Sequence, residues 1–233
     1  MNYFVTGASG FIGRRLVETL LRRGNGMVYY LILADQAPMI ERLRQRWGDA
    51  ADRAVPVIGD LTLPRLGVAE ADIARLKGEI DHFFHLAAVY DLKAGADAQE
   101  KVNVEGTRHA EAFAEAIEAG RFHLTSSIAA AGLYEGVFRE DMFEEAEELE
   151  HPYYRTKHES EGIVRRECSR PWRIYRPGIV VGDSRTGEMD KIDGPYYFFK
   201  LIQKLRNLLP PWMPMIGLEG GRLNLVPVDF VVA

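Results

Sequence analysis

Tyr153 and Lys157 stand four residues apart in Pro152-Tyr153-Tyr154-Arg155-Thr156-Lys157, which reads as the opening of a helix running to about Cys168. One helical turn separates the two side chains, so they share a face. A phenol beside a protonated amine has its phenolate favoured and its pKa lowered. It can then serve as general acid or base at an alcohol or carbonyl oxygen. Ser127 closes an apolar run ending Thr125-Ser126-Ser127 and can hydrogen-bond the same oxygen. Lys157 can also hold a nicotinamide ribose. Tyr-x-x-x-Lys by itself is a common spacing. It gains weight from a second motif at the start of the chain.

That motif is Thr6-Gly7-Ala8-Ser9-Gly10-Phe11-Ile12-Gly13, three glycines spaced G-x-x-G-x-x-G. The apolar Tyr3-Phe4-Val5 precedes it, and an amphipathic run from Phe11 to Arg23 follows, with Phe11, Ile12, Leu16, Leu20 and Leu21 on one face. Strand, tight turn and helix in this order set a pyrophosphate on backbone N–H groups at a helix N-terminus. Gly7 permits the turn, Gly10 lets the backbone approach the phosphates, and Gly13 lets helix and strand pack closely. The alternative, a plain tight turn, does not explain the context.

The elements that must position these groups alternate in type. Met27–Leu33 reads as a buried parallel strand, Glu41–Trp47 as a short helix and Ala54–Ile58 as a third strand. Asp72–Lys77 lies in a helical stretch, Ile80–Leu86 is a fourth strand and Ala98–Ala119 a long alanine-rich helix. Arg121–Ser126 is a fifth strand. Trp172–Arg176 is a sixth, broken by Pro177-Gly178 and continued by Ile179–Gly182. This alternation specifies an α/β fold with a parallel, doubly wound sheet. The strongly acidic stretch Arg139–His151 reads as a solvated helix or loop.

Side chains near strand ends bear on the cofactor. Asp35 ends the second strand about 20 residues past the glycines, where a carboxylate binds the ribose 2′-OH of NAD. Arg14, Arg15 and Arg42 could instead meet the 2′-phosphate of NADP, or simply line a solvated helix face. Asp60, in Gly59-Asp60-Leu61-Thr62, reads as an adenine contact or as a turn cap. Asn103 is unfavourable in a helix by propensity, so it reads as either a specific hydrogen-bonder or a solvent-facing residue. His85 reads as packed or capping, and the six histidines make no metal-ligand pattern.

Composition excludes several classes. A net charge of −5 over 233 residues gives no electrostatic footprint for nucleic acid. Cys168 is the only cysteine, so neither an internal disulfide nor a cysteine metal cluster arises. The N-terminus reads as a strand rather than a signal peptide, and no apolar run is long enough to span a bilayer. The expected setting is cytoplasmic. Gly194-Pro195 opens an aromatic, leucine-rich segment, Tyr196–Leu209, followed by Trp212, Met213 and Met215. It reads either as a core helix of a small second lobe or as the wall of a pocket for an apolar chain near a membrane surface.

Taken together, these motifs resemble the extended short-chain dehydrogenase/reductases over nearly the whole chain. The matching stretches are Thr6–Gly13, Gly59–Thr62, His85–Ala88, Asn103, Thr125–Gly132, Tyr153 with Lys157, and Tyr175-Arg176-Pro177-Gly178. A closer resemblance is to the N-terminal reductase part of bacterial fatty acyl-CoA reductases. It is carried by Phe84–Asp91, Arg139–Ala146, Gly187–Lys200 and Asn224–Val231. The resemblance implies a Rossmann-type domain over residues 1–182 and part of a substrate lobe over 183–233. It implies Ser127, five residues before Gly132, as the catalytic serine with Tyr153 and Lys157. The cofactor contacts it implies are Gly7, Ser9, Gly10, Phe11, Ile12, Gly13, Asp60, Leu61, Ala87, Ala88, Asn103, Lys157, Pro177, Gly178 and Val180, with no metal. Such reductases use NADPH on fatty acyl thioesters or aldehydes. They usually carry an arginine where this chain has Ala34, with an acidic neighbour, so Asp35 discriminates less than its position alone implies. Arg14 and Arg42 are then the candidate phosphate cations, and NAD is the alternative. Relatives continue past residue 230. The expectation is therefore a piece of a longer protein with further C-terminal domains, an acyl pocket whose second wall lies beyond Ala233, and self-association through the exposed wall. Readings left standing are a sugar-nucleotide epimerase or dehydratase, a steroid-type dehydrogenase, and a non-catalytic dinucleotide-binding module.

Overall fold

The computed structural model of the chain describes residues 1–89, 95–190, 196–208 and 223–233, with backbone only for 197–201. Tyr90 and Asp91 of the resembling motif, residues 191–195, and Trp212, Met213 and Met215 lie outside the described residues.

Six strands form one parallel sheet: β1 (Tyr3–Thr6), β2 (Val28–Ile32), β3 (Ala54–Ile58), β4 (His82–His85), β5 (Arg121–Thr125) and β6 (Trp172–Tyr175), ordered β3-β2-β1-β4-β5-β6. Side chains alternate across the sheet, and β1, buried along its whole length, feeds both layers. Tyr3 and Val5 face α1 (Phe11–Arg23) and α2 (Ala37–Trp47), packing with Val17, Leu20, Leu43 and Trp47. Phe4 faces the other layer, where Phe4, Phe83 and Phe122 stack across three adjacent strands at 5.0 and 5.3 Å. Over them lies α5 (Gly106–Ala116), with Phe113 and Ala114, and beside it Val164 of α6 (Pro152–Glu167). This is the expected Rossmann-type, doubly wound sheet.

Several elements differ from the sequence reading. The buried side of α1 is Gly13, Arg15, Val17, Leu20 and Leu21, whereas Phe11, Ile12 and Leu16 are only half-buried. The helix is rotated because Gly13 has to press on the glycine turn. The long alanine-rich helix is interrupted: α4 (Ala96–Gln99) passes through a π-helical turn, Glu100–Glu105, into α5. The acidic stretch forms no helix, and within it Met142 and Phe143 are buried.

Residues 179–182 do not continue β6. They form β7 (Ile179–Val181), which pairs in parallel with β8 (Leu225–Pro227) in a separate two-stranded sheet. The chain turns there because Gly178 lies against the Asn224 carbonyl, where a Cβ would sit 2.3 Å from its oxygen. A short helix, α8 (Val228–Val231), follows β8 and packs on α1. Between the paired strands runs α7 (Tyr196–Leu208), whose Ile202, Leu205 and Leu208 are exposed rather than buried in a core. No helix among the described residues is long and apolar enough to cross a membrane.

Candidate active site

In this strand order the chain reverses direction across the sheet between β1 and β4, and ligands of open α/β sheets bind at the strands' carboxyl ends there. The glycine turn occupies that position. Gly7 has φ +76°, and a Cβ on it would lie 2.7 Å from the Ala87 nitrogen. A Cβ on Gly13 would lie 2.0 Å from the Gly7 oxygen. The turn is therefore filled by backbone alone. Gly10 caps α1 without any side-chain hydrogen bond, and Ser9 and Gly10 are exposed, so the N-terminal amides of α1 face outward. Phe11 and Ile12 flank them, half-buried.

Thr6 ties this turn to the end of β4. Its hydroxyl accepts from the Leu86 and Ala87 amides, both at 3.2 Å, and lies 2.7 Å from His85 Nδ1. Thr107 meets the other His85 nitrogen at 3.3 Å. Complete burial pushes the His85 imidazole down to about 3, so it stays neutral, as a packed histidine should. Asn103, in the π-helical turn, is buried. Its Oδ1 accepts from the Val89 amide at 2.8 Å, while Nδ2 donates to the Val89 carbonyl and to Thr156 Oγ1. The amide is thus committed to protein. It serves the site by holding the Ala87-Ala88-Val89 backbone in place.

Ser127 follows β5 in extended conformation, and its Oγ accepts from the Ala129 amide at 3.2 Å. Its side chain is near enough to the Tyr153 hydroxyl to favour the phenolate. Tyr153 opens α6, whose first turn is set by Pro152 and by the His151 ring accepting from the Tyr153 amide. Burial raises the Tyr153 pKa, with Ser127 opposing. The direction is the reverse of the sequence expectation: desolvation of the phenol outweighs the opposing influence of Ser127. Lys157 is buried and donates to the Thr125 carbonyl at 3.3 Å. Burial brings it down to about 8, with Glu161 opposing. Lys157, Ser126, Asn103, Ala87 and Ala88 line one narrow cleft. Ser126 Oγ is buried there with no hydrogen-bond partner among the described residues.

The remaining expected residues are more dispersed. Asp60 caps its own turn, accepting from the Thr62 amide and hydroxyl at 2.8 Å, and the Leu61 side chain belongs to the core. Pro177 offers its carbonyl to the Ile128 amide at 3.1 Å, which locks the Ser127 turn. Gly178 abuts Asn224, and Val180 pairs with Val226. Asp35 is exposed at the end of β2. Arg14 is ion-paired with Asp190, and Arg15 lies 3.1 Å from Glu188. Arg42 is exposed, and among the described residues it has no ion-pair partner. No described group of three or more His, Cys, Asp or Glu side chains is placed to hold a metal ion.

A dinucleotide fits this arrangement. The turn is a cradle that any Cβ would fill, and the cleft beside it holds an unpartnered hydroxyl and an ammonium. Two features were not read from the sequence. One is the open Ser126 hydroxyl. The other is a buried ion pair between Glu161, one turn past Lys157, and Arg176, with Arg176 Nη2 2.6 Å from Glu161 Oε2. The spacing of Glu161 from Lys157 was the available signal.

Comparison with known proteins places the geometry in a wider set. The sequence pattern of the NAD-binding family described as male sterility protein matches residues 5–233. A linear gramicidin synthase of Brevibacillus parabrevis is 33% identical over 97% of this chain, which covers 5% of the synthase polypeptide. CG8306 of Drosophila melanogaster, provisionally named a fatty acyl-CoA reductase, is 27% identical over 99% of this chain and 53% of its own length. Among solved structures, the terminal R domain of the myxalamid PKS-NRPS biosynthetic pathway superposes with a TM-score of 0.80 at 30% identity. That match covers 99% of this chain and 60% of the domain. The chain thus spans from a twentieth to about half of these curated relatives.

Proposed function

The chain belongs to the male sterility protein family of extended short-chain dehydrogenase/reductases, nicotinamide dinucleotide enzymes, and from that membership we propose that it is an NADPH-dependent reductase of long-chain acyl thioesters or fatty aldehydes. The observation that carries the reading is the convergence of Ser127, Tyr153 and Lys157 beside the glycine cradle. When bound, the reduced nicotinamide supplies hydride. Tyr153 gives its proton to the substrate's carbonyl oxygen. Its raised pKa keeps that proton in place at neutral pH, as a general acid in the reducing direction requires. Ser127, near the tyrosine hydroxyl, orients the same oxygen. Lys157 holds positive charge beneath the site. An aldehyde becomes an alcohol in one such event. A thioester loses its thiol and needs a second event to reach the alcohol.

The apolar character of the substrate is supported by side chains following Ser127. Ile128, Leu133 and Val137 are 38, 54 and 79% exposed in the stretch that follows Ser127. We assign residues 1–182 to dinucleotide binding and catalysis, and 183–233 to the substrate side. Likeness to the gramicidin synthase and to the myxalamid R domain favours a second reading: a thioester presented on a synthetase rather than a free one. NADPH is preferred on family grounds, with Arg42 as the open cation and Arg14 behind Asp190.

Oxidation of NADPH with hexadecanal or palmitoyl-CoA tests the reading. Tyr153→Phe should lower kcat at least about 100-fold and leave NADPH affinity, followed by fluorescence, within threefold. Equal turnover in the variant sinks the assignment of Tyr153. Tighter binding of NADH than of NADPH reverses the cofactor assignment.

A further inference from the structure

We propose that Glu161 and Arg176 are positioning residues: one buried ion pair that fixes the turn of α6 carrying Lys157 and straps residues 139–147 against that helix, beside Ser127 and Tyr153. The proposal rests on the reading of Ser127, Tyr153 and Lys157 as the reacting set. Neither residue of the pair lines the cleft.

Glu161 is fully buried, one turn beyond Lys157. A carboxylate with no exposure needs a partner that satisfies both oxygens. Arg176 supplies it as a fork, with Nε 2.9 and 3.1 Å from the two oxygens and Nη2 2.6 Å from Oε2. Arg165 adds a longer contact at 3.9 Å. The remaining donors of Arg176 point the other way. They reach the Met142 carbonyl at 2.9 Å and the Arg139 carbonyl at 3.3 Å. The same guanidinium sits 5.0 Å from the Phe138 ring centre.

The strap is held at further points. Phe143 stacks flat on His158 of α6, 4.2 Å apart and within 2° of parallel, with Arg165 over its ring. Farther along, Glu147 returns to the Ser127 turn: its carbonyl accepts from the Leu133 amide at 2.9 Å, and its amide donates to the Ala131 carbonyl at 3.2 Å. Pro177, next to Arg176, secures the Ile128 amide. Arg176 therefore stands where α6, the strap and the Ser127 turn meet. A lysine could keep its charge but not its fork, because only a planar guanidinium serves a carboxylate and two carbonyls at once. Reacting groups must be held to within about 0.5 Å, and among the described residues the Lys157 ammonium has a single hydrogen bond, to Thr125. Among the described residues, the charged or titratable groups that act on Lys157 or feel its charge are Glu161 from its own helix and His85 from β4.

Three variants of the full chain test this: Arg176→Lys, the charge-free pair Glu161→Leu/Arg176→Met, and Tyr153→Phe. Hydrogen exchange of amides 139–147 is measured without cofactor, and kcat and KM with NADPH and hexadecanal from pH 6 to 10. In Arg176→Lys the strap should exchange at least about tenfold faster and kcat should fall about tenfold, with KM for NADPH within threefold. The double variant should melt near the wild type, since paired buried charges tolerate joint replacement. It should still lose about tenfold in kcat, and its basic limb should move to lower pH because Glu161 no longer supports the ammonium. A folded double variant with wild-type kcat and pH profile overturns the proposal, as does unchanged strap exchange in Arg176→Lys. Undiminished turnover in Tyr153→Phe overturns instead the assignment of the reacting set, and the strap's exchange stays readable in that case.

Discussion

Lys157 illustrates how a site group can work against the fold that holds it. Its ammonium is buried, with a hydrogen bond to a carbonyl, and its pKa falls to about 8 from an unfolded value of 10.5. Below pH 8 it is charged in both states, so the full cost of burying the charge is present. Between 8 and 10.5 the unfolded chain binds more protons, so stability rises with pH and the cost fades. A displacement of this size is worth about 3 kcal/mol. Lys157→Met should therefore raise the urea midpoint at pH 7 while abolishing turnover, and the gain should shrink by pH 10. A gain that is equal at both pH values, or a loss at pH 7, refutes this account. Residue type and spacing single out Tyr153, Lys157, Ser127 and the glycines in the sequence, because the chemistry proposed for them is local. The tyrosine's raised pKa was not legible, since it depends on how deeply the fold buries the ring. Glu161 was passed over for the same reason. On paper it is one acidic residue among many, and only its zero exposure marks it out.

The glycine turn behaves as a rigid element, and here the sequence reading was most complete. Gly13 meets backbone on its inner side: the Gly7 oxygen at 2.0 Å, the Gly7 carbon at 2.8 Å and Ala8 Cα at 3.0 Å from an added Cβ. None of these atoms can swing aside, so α1 would have to lift from β1. Gly13→Ala should cost roughly 2–3 kcal/mol, the range of an overpacked core, and weaken NADPH binding beyond what stability explains. Gly24 ends the same helix with nothing within 4 Å and an extended backbone. Gly24→Ala should be neutral or stabilise by up to about 1 kcal/mol. Urea titration of both variants gives the contrast, and equal destabilisation would refute the packing argument. Strand positions were readable to within two residues because the buried strands are short apolar runs bounded by turn residues. The π-helical turn around Asn103 was not. It exists to bring one buried amide to Val89 and Thr156, partners 14 and 53 residues away.

Across the molecule, charge joins α1 and α2 to the chain beyond β7, alongside the packing of α8 on α1. Glu188 lies 3.1 Å from Arg15 and 3.2 Å from Arg46, and Asp190 pairs with Arg14. Contacts spanning up to 176 positions have no signature in the local sequence. Nor does the pairing of β7 with β8, which is why 179–182 read as a continuation of β6. The carboxylates are part-exposed while Arg14 and Arg15 are mostly buried, so these pairs lie at the boundary of the fold rather than on its open surface. Their effect is on the field at the N-terminal end of α1, where two acidic side chains offset three arginines. The Glu188 carboxyl is held below its usual range by hydrogen bonding to Arg46 and the nearby guanidinium groups, so it remains charged at neutral pH. Removing both negative charges in Glu188→Gln/Asp190→Asn leaves Arg14 and Arg15 without these carboxylate partners. NADPH carries a phosphate that NADH lacks, so its affinity should rise several-fold more than that of NADH at low salt. The difference should vanish near 0.5 M salt, where screening shortens to about 4–5 Å. Fluorescence titration of both dinucleotides at two ionic strengths measures it. An equal change for NADH and NADPH would show that these arginines do not meet the 2′-phosphate, and would leave Arg42 as the cation to replace next.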